Sequence, residues 1–220
     1  MIVVIGQPLF LAMDGGAAAV GMPARIALAA AGNGRSVQLV GKAGEDPDGD
    51  AVVLALARGG VGHVALLRDA GMSTPRAPEV ADDIETADEA ITTADPDALG
   101  VAQDDRPLLD AGDVELALRY LTNFSVVVLG DQADEQIVGV VAAATGWAGA
   151  MLIVVVPPGA TVPEALPADA IVFEAPDSDP DGVFAAMVGS FAAALDDGDD
   201  PAAAFRTTVA AEGWTAATEG

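Results

Sequence analysis

The chain has 220 residues, enough for a domain that buries roughly 70% of the surface its unfolded form exposes, so a sizeable core needs no staples. It contains no cysteine, which excludes disulfides, thiolate metal sites and cysteine nucleophiles and is the composition expected of a reducing, cytoplasmic compartment. The formal net charge is −25, with Lys42 the sole lysine; such a field repels phosphates and anionic lipid, so nucleic-acid and membrane-surface partners are excluded, and the balance fits either adaptation to high salt or the Ala/Asp/Arg bias of a GC-rich genome.

The first thirteen residues, MIVVIGQPLFLAM, are apolar but lack a basic leader, and Gly6, Pro8 and Asp14 interrupt or end them. Ile2 to Ile5 therefore predicts a first strand buried on both faces, not a signal peptide. GMPARIALAAAGNG predicts a helix with Pro23 near its start and Gly32 and Gly34 at its stop, and Val37 to Val40 a second short strand. Asp46 to Arg58 predicts a helix with acidic residues in its first turn, followed by a Gly-Gly turn and a strand in GGVGHVALLR.

Between Met72 and Asp105 the chain turns acidic and poor in large apolar residues, which predicts a long surface excursion over 72–105 within a single domain spanning 1–220. Order returns with Asp113, an N-cap for VELALRYL. SVVVLG then predicts a buried strand, Gln132 to Gly146 a helix, Met151 to Val156 a strand, and DAIVFE a short strand after a Pro-rich loop. Two helices follow from Gly182, separated by DDGDDP. Strands alternating with helices of this length are βαβ units, hence an α/β fold, doubly wound about a mostly parallel sheet. No apolar run is long enough to cross a membrane.

Three stretches resemble the ribokinase/PfkB carbohydrate kinases. VGMPARIALAAAGNGRSVQLVGKAGEDPDGDAVVLALARGGV is similar to the family's first signature, and LVGKAGEDPDGD is its most specific part. Read by composition alone, Gly41 to Asp46 is a loop between strand and helix. Asp110 to Asp179 resembles the family's middle region in order and spacing, and DSDPDGVFAAMVGSFAAALDDGDDPAAAF resembles its "DttGAGDaFaaG" element. The resemblance implies a three-layer ribokinase-like fold covering most of the chain. It also implies a sugar-like substrate, ATP with magnesium as cofactors, and a kinase active site. Glu174 and Asp177 take the spacing of the family's Asn-x-x-Glu motif and would hold the metal and nucleotide. Gly182 opens the helix that faces the transferred phosphoryl group, Asp181 is the base candidate, and Gly21 and Arg25 fall on the substrate side.

The same alignment carries losses. The family's anion-binding glycines become Asp179-Pro180-Asp181-Gly182: proline has no N–H to donate, and two carboxylates stand where phosphate would sit at a helix N-terminus. Leu11 stands where a sugar-binding aspartate belongs, and Arg25 stands where an asparagine belongs; Arg25 either holds an anion or lies on the helix surface. The lid is reduced to MDGGAAAV or absent, and the nucleotide-binding T-x-G-x-x-G turn is missing. The expected function is thus a kinase homologue serving as a binding or regulatory module without cofactor, with a minimal active kinase using Mg and ATP as the alternative. In the second reading Asp181 is the base; in the first it N-caps the final helices. The family's lids often pair in a homodimer, and losing the lid removes that interface without precluding another.

The remaining candidates read as structural. His63, the sole histidine, is expected to be partly buried at a strand start. The aspartate groups 82/83, 104/105 and 196/197/199/200 read as solvated acidic loops without an EF-hand pattern, and Trp147 and Trp214 are too isolated for an aromatic platform.

Overall fold

The computed structural model describes residues 1–77, 105–131 and 133–211. In chain order the elements are β1 (Ile2–Ile5), β2 (Leu9–Met13), β3 (Gly16–Val20), α1 (Met22–Gly32), β4 (Val37–Gly44), α2 (Pro47–Arg58), β5 (Val61–Gly62), β6 (Leu66–Asp69), α3 (Ala111–Tyr120), β7 (Val126–Leu129), α4 (Glu135–Ala148), β8 (Met151–Val156), β9 (Ile171–Glu174), α5 (Val183–Asp197) and α6 (Pro201–Ala211). The aspartate pair 82/83, Trp214 and most of the acidic stretch lie outside the described residues.

Seven strands make one sheet in the order β5-β4-β1-β7-β8-β9, with β6 continuing beside β4, and every pairing in it is parallel. The continuous β-branched runs exist because both faces are covered. In β1, Ile2 and Val4 enter one core with α1, α2 and α5, while Val3 and Ile5 enter a second core with α3 and α4. β7 divides in the same way, with Val126 and Val128 on the first side and Val127 and Leu129 on the second. Each such side chain gains about 1.5–3 kcal/mol on burial, which is why no polar alternation survives in these strands. The result is the expected three-layer α/β architecture.

Strand order reverses at β1. The chain crosses from β1 to β4 on one side and later enters β7 on the other, which opens a crevice at the carboxyl ends of β1 and β7. β2 and β3 form a separate antiparallel hairpin over 9–20 that packs against α2, so the lid segment is reduced to two five-residue strands.

Several local expectations shift. β4 runs on to Gly44 because β6 lies alongside and pairs Gly41–Gly44 with Leu66–Asp69, so this stretch is strand and not loop. The cap of α3 is Asp110; Asp113 sits three residues on and completes a capping box, each side chain accepting from the other's backbone N–H. α4 begins later than expected, with Asp134 accepting from Ile137 N–H at 2.8 Å. His63 is exposed in the turn between β5 and β6, where its carbonyl accepts from Leu66 N–H at 3.0 Å. Among the described residues no helix is long and apolar enough to cross a membrane.

Asp196 is the largest departure from the solvated reading. Its side chain is 4% exposed and pairs with the Met1 ammonium at 2.6 Å and Arg35 Nη2 at 2.6 Å, and it accepts from the Ser125 hydroxyl. Burial pushes its pKa up, but the hydrogen bonds from the terminal ammonium, Ser125 and Arg35 outweigh burial and hold it at about 2. A carboxylate lowered in this way stabilises the fold above its unfolded pKa, and that contribution disappears as pH falls through about 2. Asp196→Asn is expected to cost about 2 kcal/mol at pH 7, with the deficit against wild type closing in urea titrations between about pH 4 and pH 2.

Candidate functional site

α5 begins where the sequence places an anion-binding helix start. Its position is fixed from two sides. Gly189 lets α1 approach closely, since a Cβ there would lie 2.7 Å from the Ala29 Cβ, and Phe173 of β9 packs edge-on against Phe191 and stacks on Phe205 at 5.4 and 6.0 Å between centroids. The connecting loop 175–182 ends on Gly182, whose φ of 70° is the left-handed conformation that glycine adopts without a Cβ penalty.

The helix start is filled from within the chain. Asp179, 6% exposed, accepts from Phe184 N–H at 2.9 Å through Oδ1 and from Ala185 N–H at 3.0 Å through Oδ2. Both carboxylate oxygens thus occupy the donors that a phosphate group would need. The N-cap residue of α5 is Gly182, and the carboxylate that meets the first amides is that of Asp179; Asp181 lies exposed on the loop. Arg25, brought to this loop by the α1–α5 packing, donates from Nη1 to the carbonyl of Asp179 at 2.5 Å and of Pro180 at 3.4 Å. Its guanidinium clasps loop backbone, and a Cβ on Gly182 would lie 3.8 Å from it.

The remaining expected site residues do not converge on one point. Gly21 is buried as the N-cap of α1. Glu174 is exposed at the end of β9 and accepts from Gly159 N–H at 2.7 Å, which ties the strand to the turn after β8. Asp177 is exposed farther along the loop. Among the described residues no three carboxylate or histidine side chains form a metal's donor set. With the α5 donors committed and the acidic side chains dispersed, these residues do not fit a magnesium–nucleotide phosphate group.

The crevice at the strand reversal contains a residue that no sequence motif marks. Gly6 follows β1, and a Cβ there would lie 2.4 Å from Pro23 Cγ and 2.9 Å from Asp131 Oδ2, so only glycine admits this approach. Gln7 N–H donates to Asp131 Oδ2 at 2.7 Å, and Gln7 Nε2 donates to the Lys42 carbonyl at 2.6 Å. Asp131 thus stands half-buried at the end of β7, joined to β1, and burial pushes its pKa up to about 6, only partly offset by the Gln7 bond. Among the described residues no cation pairs with it.

A carboxyl held near neutrality in a crevice at a sheet's reversal point is the profile of a functional group. Two cavities open beside it. One, of about 210 Å³, is lined by Gly6, Gln7, Arg106 and Leu108; the other, of about 320 Å³, lies between α4 and the loop after β8. In sequence, LGDQ signals only a strand end, and the significance of Asp131 emerges once strand order is known.

No protein-family model and no curated protein matches the chain. Solved structures do match it along its whole length. The protein Sa239 superposes with a TM-score of 0.64 at 13% identity, covering 100% of this chain and 94% of that one. An E. coli protein assigned as ribokinase II, in its apo form, gives 0.62 at 14% identity with the same coverage. A ribokinase of Arabidopsis thaliana, complexed with ribose and ATP, gives 0.60 at 16% identity, covering 100% and 93%. At these identities the likeness is one of fold. The chain has the ribokinase fold.

Proposed function

We propose that this protein is a homologue of ribokinase-type sugar kinases that binds a small sugar-like molecule and does not transfer phosphoryl groups. The observation that carries this reading is the bidentate seat of Asp179 on Phe184 and Ala185 N–H. Phosphoryl transfer needs preorganised donors aimed at the transferred group, and here those donors are satisfied by a buried carboxylate of the same chain. Arg25 holds the loop in that state by its bonds to the carbonyls of Asp179 and Pro180. Displacing the carboxylate would leave a charge to be rehydrated and two amides to be re-paired before any phosphate could enter.

A sugar-like ligand fits the smaller cavity, where Gln7, Arg106 and Asp131 supply polar atoms beside Leu108 and Ile137. The E. coli neighbour has also been solved with ATP and magnesium, so an active kinase is the reading to test against. Purified protein incubated with Mg-ATP and a panel of pentoses and hexoses is expected to release no sugar-dependent ADP. Asp181→Asn is expected to leave that result unchanged. Sugar-dependent ADP release that falls about a hundredfold or more in Asp181→Asn overturns the proposal and assigns Asp181 as the base.

A further inference from the structure

The larger cavity, on the α4 side of Asp131, has a chemistry different from that of its neighbour. Its walls are Leu129, Val138, Val156 and Val162, and among the described residues every charged side chain lining it is a carboxylate: Asp131 inside, with the exposed Glu135 and Glu164. At about 320 Å³ it lies at the lower end of the range for small-molecule sites. We propose that this cavity binds a small organic ammonium ion, its charged head on Asp131 and its hydrocarbon body against Leu129, Val138 and Val162.

Three alternatives fail on the lining itself. An anion meets only like charge. A bare metal ion needs several converging donors, and among the described residues no such group forms. A sugar needs hydrogen-bond partners around its whole rim, whereas most of this surface is aliphatic. An alkyl or cycloalkyl ammonium satisfies both features at once, burying its carbons and giving Asp131 the counter-ion it lacks among the described residues. Asp131 Oδ2 is already bonded to Gln7 N–H, and no described hydrogen bond reaches Oδ1.

The charged and titratable groups around Asp131 are Glu135 on α4, Glu164 on the loop after β8, and Arg106 lining the smaller cavity. Since the ammonium requires the ionised carboxylate, its affinity is expected to fall about tenfold per pH unit below about 6. This inference holds whether or not phosphoryl transfer is lost, because no residue of the α5 start lines the cavity.

The test is a calorimetric titration with cyclohexylammonium, with cyclohexanol as its neutral isostere, at about 0.5 M NaCl to screen the acidic surface. Cyclohexylammonium is expected to bind at one site about tenfold or more tightly than cyclohexanol. Ala160→Phe, which fills only this cavity, and Asp131→Asn, which removes the charge at nearly constant shape, are each expected to weaken binding about tenfold or more. Circular dichroism checks that both variants are folded. Equal binding of cyclohexanol, undiminished binding in both variants, or no saturable binding overturns the proposal. Undiminished binding in Ala160→Phe alone, with loss in Asp131→Asn, also overturns it, since it moves the ligand to the smaller cavity.

Discussion

Asp179→Ala is expected to destabilise the protein by about 4 kcal/mol. The side chain makes two charge-assisted hydrogen bonds to amides at a buried helix start, each worth about 1.5–3 kcal/mol, and truncation leaves those amides unpaired. Asp179→Asn keeps one carbonyl acceptor and is expected to lose about half as much. Urea unfolding of the two variants separates this from a generic surface effect, for which both losses would stay under about 0.5 kcal/mol. Because the carboxylate joins the loop to α5, hydrogen exchange at Phe184 and Ala185 should accelerate well before the rest of the helix.

Asp131→Asn is expected to act in the opposite direction, raising stability by about 3 kcal/mol at pH 8. The folded pKa of about 6 lies above the ordinary carboxyl value of 3.8, so the folded state holds a proton that the unfolded state has released. The cost of the buried charge appears as pH rises through the unfolded pKa and is complete above about 6. Below about pH 4 both states are protonated and the gain vanishes. Asparagine keeps an acceptor for Gln7 N–H, which makes the comparison clean. A gain that does not change between pH 4 and pH 8 would show that titration of Asp131 is not its source. Stability given up at a crevice is what a binding residue leaves behind.

The two aspartates also show where sequence reasoning works and where it stops. Asp179 was visible in outline: a proline and two acids replacing glycines at a helix start already oppose phosphate. Which of the acids caps the helix depends on the left-handed turn at Gly182 and on Arg25 reaching across from α1, contacts separated by more than a hundred residues. Asp131 was not visible. Its neighbour Gln7 is 124 positions away, and its burial follows from the order of strands in the sheet.

Asp196 departs from its local sequence context for the same reason. In DDGDD it looks solvated, yet the last turn of α5 delivers it to the Met1 ammonium and Arg35. By contrast, β1, β7 and β8 are fully legible, because a strand buried on both faces has to be apolar throughout. The cap of α2 is likewise local: Asp46 before Pro47 accepts from Gly49 N–H at 2.7 Å. Local chemistry and pleat are written in the sequence, whereas charge states and pairings that span the sheet require the fold.

The start of α5 is closed by the chain's own carboxylate. A titration of ¹⁵N-labelled protein with Mg-ATP, followed at the amide resonances of Phe184 and Ala185, reads that closure at the two amides involved. Neither resonance is expected to move up to about 10 mM nucleotide in the wild-type protein. Saturable shifts of both resonances at micromolar Mg-ATP would show the opposite, a phosphate on the donors that Asp179 otherwise holds.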